Sequence, residues 1–550
     1  MCTQAGRQRL AQFLRGLAVE FLTRNPQYHH QISEIPVDPA ALSEPVLQHD
    51  IHLVIAGDVV DFLAEEPMSA FTADEAAACA KLQHALDSSP EVWPALRDFV
   101  RAGGAVTMLL GNHDIELSLG AVRQLLLRTL GPGRVELIYD NQGLALGDVL
   151  IEHGNRYDPW NCVPHSSLRE LRSHMSRREE LSKFTPLPGS RLVIDVMNDV
   201  KQTSKFVDLC KPEIPAAIPL LLGLQPSILN SAVDIAVLLW KSKELSFRPS
   251  SGAPTNRDYV SHNGPANDDW IGEARRQVAN DELAAALGIP AARLADCLLD
   301  AVSELERREA SDLPGQEPKA AQPQVDRSLA SYTTSNRVDK PAEPGIWSRI
   351  AGTFDNWMDF LTAGKHIVAA ARTDNLEAKL PHLLTALRAL ARSQREELDI
   401  NHEKENYLRP ARHAVSRGFS VVIYGHTHMA KRVPIAAKAE DGTETPGLYL
   451  NTGTWADLLW LPPELAGMDD SRALAALRHL CVDRGNDPDS VLRRRLLTYA
   501  RIELGQDGTV LRGIDKTLQA DLYLFPSGER LPDGGLDQAE QRPAGEAASA

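Results

Sequence analysis

The sequence predicts an α/β fold, and three observations predict it. Five short β-branched or apolar runs are spread along the chain. Four of them end directly in a polar cluster, and a helical stretch separates the first two. Residues 53–56 run into Gly57-Asp58, residues 105–110 into Gly111-Asn112-His113-Asp114, residues 149–151 into Glu152-His153-Gly154-Asn155, and residues 421–424 into Gly425-His426-Thr427-His428. Each reads as a strand buried on both faces. The clusters fall at the carboxyl ends of the strands, where α/β sheets place their ligands. The fifth run, residues 448–450, leads into Asn451-Thr452-Gly453-Thr454, a supporting strand and turn.

The remaining elements follow in order. Leu10, Phe13, Leu14, Leu17, Phe21 and Leu22 recur at helical spacing and predict an amphipathic N-terminal helix packed on the domain. Residues 73–101 predict the helical stretch between the first two strands. The long span from His153 to His426 reads mainly helical, with apolar spacing at 294–305, 347–361 and 380–398. The expected domains are therefore a core in two parts, residues 1–160 and 411–525, with a helical insertion or lid over 161–410. Within the insertion, residues 311–345 are rich in Pro, Ser, Gln and charge and predict a flexible linker. The tail at 526–550 is expected to be disordered. Residues 214–233 are uncharged, but Pro215, Pro219 and Pro226 would leave backbone groups unpaired in lipid. They predict a buried helical hairpin rather than a transmembrane span, with peripheral membrane contact as the alternative.

Composition excludes several classes of function. The 550 residues carry a formal net charge of −16, a surface that repels phosphate backbones and argues against general nucleic-acid binding. Aromatic residues are only 5%, too few for base-stacking platforms. The six cysteines form no Cys-x-x-Cys pair, which excludes a zinc ribbon and fits a reducing, cytoplasmic setting. Arg7, Arg9 and Arg15 interrupt the N-terminus, so it does not read as a signal peptide.

The polar clusters carry the chemistry. Asp58 and Asp61 stand as Gly-Asp-x-x-Asp, Asn112 and His113 within Gly-Asn-His-Asp, His153 after the third strand, and His426 and His428 as Gly-His-Thr-His. Taken singly, Asp58 and Asp61 read as helix caps, Asn112 as a turn residue and His153 as a core histidine. His426 and His428 alternate on a strand end and should share a side. Taken together, carboxylate, amide and imidazole donors without thiolates suit divalent ions such as manganese, iron or zinc.

In these motifs the sequence resembles the calcineurin-like metallophosphoesterases over roughly residues 53–161 and 420–457. The resemblance implies a metallophosphoesterase-type β-sandwich flanked by helices, holding one or two divalent metal ions. It implies that Asp58 bridges two ions, that Asn112, His153 and His426 complete one shell, and that His428 joins the other. His113 would act as general acid toward the leaving alkoxide, with Asp61 holding its orientation. The implied activity is hydrolysis of a phosphate mono- or diester by a metal-activated water. Substrates in keeping with it are phosphorylated small molecules, nucleotides or lipid-linked compounds. A looser likeness to the UDP-diacylglucosamine pyrophosphatases would make residues 214–240 an acyl contact and let Arg156 reach a phosphate.

The family's first motif, Asp-x-His, should end a separate upstream strand. Asp50-Ile51-His52 has the letters but opens the strand that ends at Asp58. At about 3.3 Å per residue, Asp50 lies roughly 25 Å from Asp58, beyond a shared ion. The sequence is therefore expected to lack the strand that carries this motif, to keep a single metal, or to substitute His29 or His30. The first is favoured because the N-terminal helix reads like one that follows a first strand. A catalytically impaired, phosphoesterase-fold scaffold is the non-enzymatic alternative.

Overall fold

The computed structural model describes residues 4–25, 50–158, 161–181, 375–393, 399–438, 442–483, 490–494, 496–513 and 517–532, with scattered positions between 184 and 373. The expected helical spacings at 294–305 and 347–361, the linker at 311–345, His29, His30, and residues 214–240 apart from Leu220 lie outside the described residues. The fold is mixed α/β, built on several small sheets.

All five runs are strands. β1 (His52–Ile55), β2 (Ala105–Leu109) and β3 (Val135–Ile138) form a parallel sheet in that order. The second sheet contains β4 (Leu144–Leu146), β5 (Val149–Ile151), β6 (Val421–Tyr424), β7 (Ala430–Lys438) and β8 (Glu444–Thr452), in the order β4-β5-β6-β8-β7. Its three central strands, β5, β6 and β8, run parallel, and β4 and β7 pair antiparallel at the edges.

Strand periodicity decides what each face covers. On β6, Val421 and Ile423 share an apolar core with Val149, Ile151 and Leu450 and with Val54 and Leu109 of the first sheet. The two sheets therefore pack against each other. Val422 and Tyr424, one residue out of phase, point the other way and meet Tyr407, Leu408, Ala411 and Val415 of a helix at Glu405–Ser416. The first sheet's other face carries Val106 and Met108 and is covered by α1 (Gln4–Arg24), α2 (Glu75–Asp87), α3 (Val92–Arg101) and α4 (Gly120–Leu130). The predicted stretch 73–101 is thus two helices, broken at Ser88-Ser89-Pro90. Asp74 caps α2 by accepting from the amides of Ala76 and Ala77 at 2.9 and 3.2 Å.

The N-terminal helix buries Ala11, Leu14, Ala18 and Phe21, and burial of Phe21 alone stabilises the fold by about 1.5–3 kcal/mol. Its Phe13 packs tilted against Trp455 and Tyr499 and edge-on against Phe525, with ring centroids at 4.9, 4.9 and 5.6 Å. Tyr499 lies on β11 (Thr498–Ile502), which pairs with β12 (Ala520–Leu524); the short strands β9 (Leu458–Leu459) and β10 (Arg493–Arg494) form a further pair.

After β5 comes α5 (His165–Arg177). Then α6 (Leu376–Ser393) precedes the helix at Glu405–Ser416, which is α7; α8 (Leu461–Gly467) and α9 (Asp470–Asp483) follow β9. Two parts of the chain pack across the expected boundary at 410. Residues 399–416 belong with the second sheet, since Ile400 sits in the inter-sheet core and α7 covers the sheet. Conversely, α8 and α9 share an apolar core with α6, Cys210 and Leu220. The start of the expected disordered tail is packed: Leu531 is fully buried, and its amide donates to Leu522 O at 2.8 Å. Among the described residues, no helix is long and apolar enough to cross a membrane.

Candidate metal centre

The carboxyl ends of β1, β2, β5 and β6 meet between the two sheets. Ligand atoms of Asp58, His153 and His426 all lie within 4.8 Å of one another, a group able to hold a metal ion. Asp58 Oδ2 is 3.2 Å from His153 Nε2, and Asn112 Oδ1 is 3.2 Å from the same nitrogen. The rings of His153 and His426 meet edge to face at 5.3 Å between centroids. Four expected ligands, Asp58, Asn112, His153 and His426, are thus brought together.

Glycines make the approach close enough. A Cβ on Gly111 would fall on the Asp58 carboxylate, and one on Gly57 would fall on the His153 ring. Gly57 also has φ +89°, in the region glycine tolerates best. Asp58 itself has φ +52° and His426 +66°. Non-glycine residues held there store of order 1–3 kcal/mol each, and such strain concentrates at functional sites.

Local bonds fix the groups. His153 Nδ1 donates to Ala56 O at 2.6 Å, so Nε2 is the atom turned toward Asp58 and Asn112. Asp58 Oδ1 accepts from the His113 amide at 2.9 Å. Burial opposes the charge on Asp58, but His153 and His113 overcome it and hold the carboxyl well below the usual range. Burial likewise opposes a proton on His153, yet Asp58 raises its affinity above the ordinary imidazole value. His113 Nδ1 bonds Asp61 Oδ1 at 3.0 Å, both side chains about one-quarter exposed.

His428 is not in the group. The expectation that it shares a side with His426 assumed an extended strand, but β6 ends at Tyr424. His426 and His428 both lie in a turn with φ +66° and +62°, where two-residue alternation does not apply. His428 instead borders a small cavity with Met429, Gly453, Thr454 and Trp460. Asn451 closes this turn: its Nδ2 donates to Gly425 O at 2.7 Å and to Thr427 Oγ1 at 3.0 Å.

Asp50 and His52 stand at the other end of β1. Asp50 makes a two-pronged ion pair with Arg134 at 2.7 and 2.6 Å, and His52 Nε2 bonds Thr107 Oγ1 at 2.8 Å.

Asp114, read from the sequence only as a turn residue of Gly-Asn-His-Asp, takes a structural role here, and Asp158 and Asn161 enter as residues that motif reading passed over. Asp114, fully buried, accepts from the amides of Gly111 and Val59 at 2.7 and 2.8 Å and so ties the loops after β1 and β2. Burial first, and then the charge of Asp58, push its carboxyl up to about 7. Asp158 and Asn161 lie in the loop beyond His153: Asp158 Oδ2 is 3.0 Å from His426 Nε2, and Asn161 Oδ1 is 3.3 Å from Asn112 Nδ2. Their only cue in the sequence is a turn-rich segment, Tyr157-Asp158-Pro159-Trp160-Asn161, shortly after a strand-end histidine.

A cavity of about 260 Å³ shares His153 with the site and is walled by Leu109, Leu110, Ile138, Val163 and His165. Burial pushes the His165 imidazole down to about 4. Arg156 also borders the cavity, bonded to Glu152 Oε1 at 3.0 Å.

The chain matches no protein-family model, no curated protein and no solved structure. The reading of function therefore rests on the site itself.

Proposed function

We propose that this protein is a metal-dependent phosphoesterase of the calcineurin-like kind, hydrolysing a phosphate mono- or diester. One observation carries the reading: ligand atoms of Asp58, His153 and His426 converge within 4.8 Å, with Asn112 beside them and the His113–Asp61 pair alongside. One carboxylate, one amide oxygen and two imidazoles suit a borderline divalent ion such as manganese, iron or zinc. Asn112 contributes oxygen without adding negative charge that would repel a phosphate.

When bound, such an ion neutralises phosphoryl oxygens and lowers the pKa of a water toward neutrality. The chain's own groups do the rest. Asp58, Asn112, His153 and His426 would hold the ion at the strand ends. Asp61 would accept from Nδ1 of His113 and stabilise its imidazolium, whose Nε2 proton would pass to the departing alkoxide and leave the ring neutral with Nδ1 still protonated. The amide of His113 donates to Asp58 Oδ1 at 2.9 Å, which ties the proposed acid to the proposed metal ligand.

The test is hydrolysis of an aryl phosphodiester and an aryl phosphomonoester with added manganese. The protein is expected to turn over at least one of them. His113→Ala should remove turnover while manganese still binds, a loss of about 10²–10⁴-fold for a general acid. Absence of turnover by the unaltered protein across both ester classes would shift the reading to a binding scaffold.

A further inference from the structure

Asp158 lies outside the group of mutually close ligand atoms, yet it touches two ligands, one directly and one through Asn161. The directions of these bonds follow from chemistry. A carboxylate only accepts. Asn161 Nδ2 is 2.7 Å from Asp158 Oδ2, so this end of the Asn161 amide is the donor. Its Oδ1 must then accept from Asn112 Nδ2 at 3.3 Å. With Nδ2 so committed, the Oδ1 of Asn112 is the atom turned toward His153 Nε2. That is the only end of an amide able to ligate a cation.

The same carboxylate acts on His426. Its Oδ2 is 3.0 Å from Nε2, so Nε2 carries the proton and the lone pair is left on Nδ1. His153 is wired the opposite way, with the proton on Nδ1 facing Ala56 O and Nε2 turned to the site. A backbone carbonyl orients one imidazole and Asp158 orients the other. The loop is braced by its own bonds: the Asn161 amide donates to Asp158 O at 3.1 Å, and Asn155 Nδ2 donates to Asn161 O at 2.9 Å.

We infer that Asp158 is a positioning residue for the metal centre: through direct contact with His426 and through Asn161, it fixes which atom of His426 and which atom of Asn112 face the ion. It binds no ion itself. Outer partners of metal-binding histidines usually matter at this level, about 10–100-fold in affinity. The inference rests on the metal-centre reading above but not on any particular reaction.

The test has two arms. In the metal-free protein at mildly alkaline pH, nitrogen-15 imidazole spectra should show His426 protonated on Nε2 and bare on Nδ1. Asp158→Asn places an amide that can donate as well as accept, so the His426 proton should redistribute toward Nδ1. In the second arm, manganese titrated calorimetrically should bind Asp158→Asn about 10–100-fold more weakly than the unaltered protein, with an unchanged circular dichroism spectrum. A His426 protonated on Nδ1 in the unaltered protein, or equal manganese affinity in the two proteins, overturns the inference. If Asp158→Asn fails to fold, the tautomer in the unaltered protein decides alone. Both readouts are independent of turnover, so a protein that hydrolyses no ester yet passes both arms refutes the phosphoesterase reading and leaves this inference standing.

Discussion

The two ends of β1 carry the same chemistry in the sequence and opposite fates in the fold. At its start are Asp50 and His52; just past its end is Asp58, facing His153. The start is open. Asp50 is spent on a half-exposed ion pair with Arg134, and His52 on the hydroxyl of Thr107 in the neighbouring strand. The end is closed. Two glycines admit Asp58 and His153 to each other, left-handed backbone turns the carboxylate inward, and the second sheet delivers two imidazoles from across the interface. An acidic residue near a histidine makes a site only where several strand ends converge and where the backbone is bare enough for them to touch.

The sharpest way to break this comparison is to exchange the roles of the two ends. Asp58→Asn keeps the shape but removes the only carboxylate in the ligand group, and it is expected to abolish manganese binding by calorimetry. Asp50→Ala removes a surface pair worth about 0.2–1 kcal/mol and should leave manganese affinity unchanged. If Asp50→Ala weakened the metal as Asp58→Asn does, the distinction between the ends of the strand would fail.

A smaller effect probes the bareness of the backbone. Gly111→Ala would press a methyl group on the Asp58 carboxylate, which the His113 amide holds in place, and on the Asp58 backbone nitrogen. The expected loss is about 1–3 kcal/mol of stability, read as a lower urea midpoint, together with weaker manganese binding. Gly131→Ala is the contrast on strain alone: its Cβ would meet nothing, and only its φ of +82° opposes the change. It should lose stability without touching metal affinity.

Much of this was legible in the sequence, for identifiable reasons. Strands buried on both faces are continuous apolar runs, and each of the five stands out against polar flanks. Within each sheet these strands run parallel, so the carboxyl ends that carry the clusters share a side. Asp58, Asn112, His153 and His426 could be read because each stands second after such a run. His428 stands outside the ligand group, and the alternation that paired it with His426 stops with the strand at Tyr424, four residues earlier. Asp158 and Asn161 were hidden because their loop leaves no periodic trace; what gives them meaning is contact with His426 and Asn112, distant in the chain or on another strand end. The packing of residues 399–410 with the second sheet, and of 461–483 with α6, across the expected domain boundary was equally hidden. An amphipathic helix shows that it has a buried face without showing which core receives it.

The smallest expected effect is a contrast in the pH dependence of stability between the histidines tied to the two ends of the strand, measured without metal. At the start of β1, burial lowers the His52 pKa below the ordinary 6.5, with Arg134 assisting against Asp50. A proton then costs the folded state more than the unfolded chain, so the stability associated with neutral His52 is present above 6.5 and is lost as pH falls below it. At the far end, Asp58 outweighs burial and raises the pKa of His153 above 6.5. Protonated His153 therefore stabilises the fold fully below 6.5, and this contribution is lost as pH rises through the folded-state value. Melting temperatures of the unaltered protein, His52→Gln and His153→Gln across this range should show differences that slope in opposite directions. Parallel slopes would mean that Asp58 does not govern His153, and the electrostatic contrast between the two ends of β1 would be lost. Saturating manganese should then flatten the His153 slope and leave that of His52 intact, because a cation takes the place of the Nε2 proton on one ring and has no access to the other.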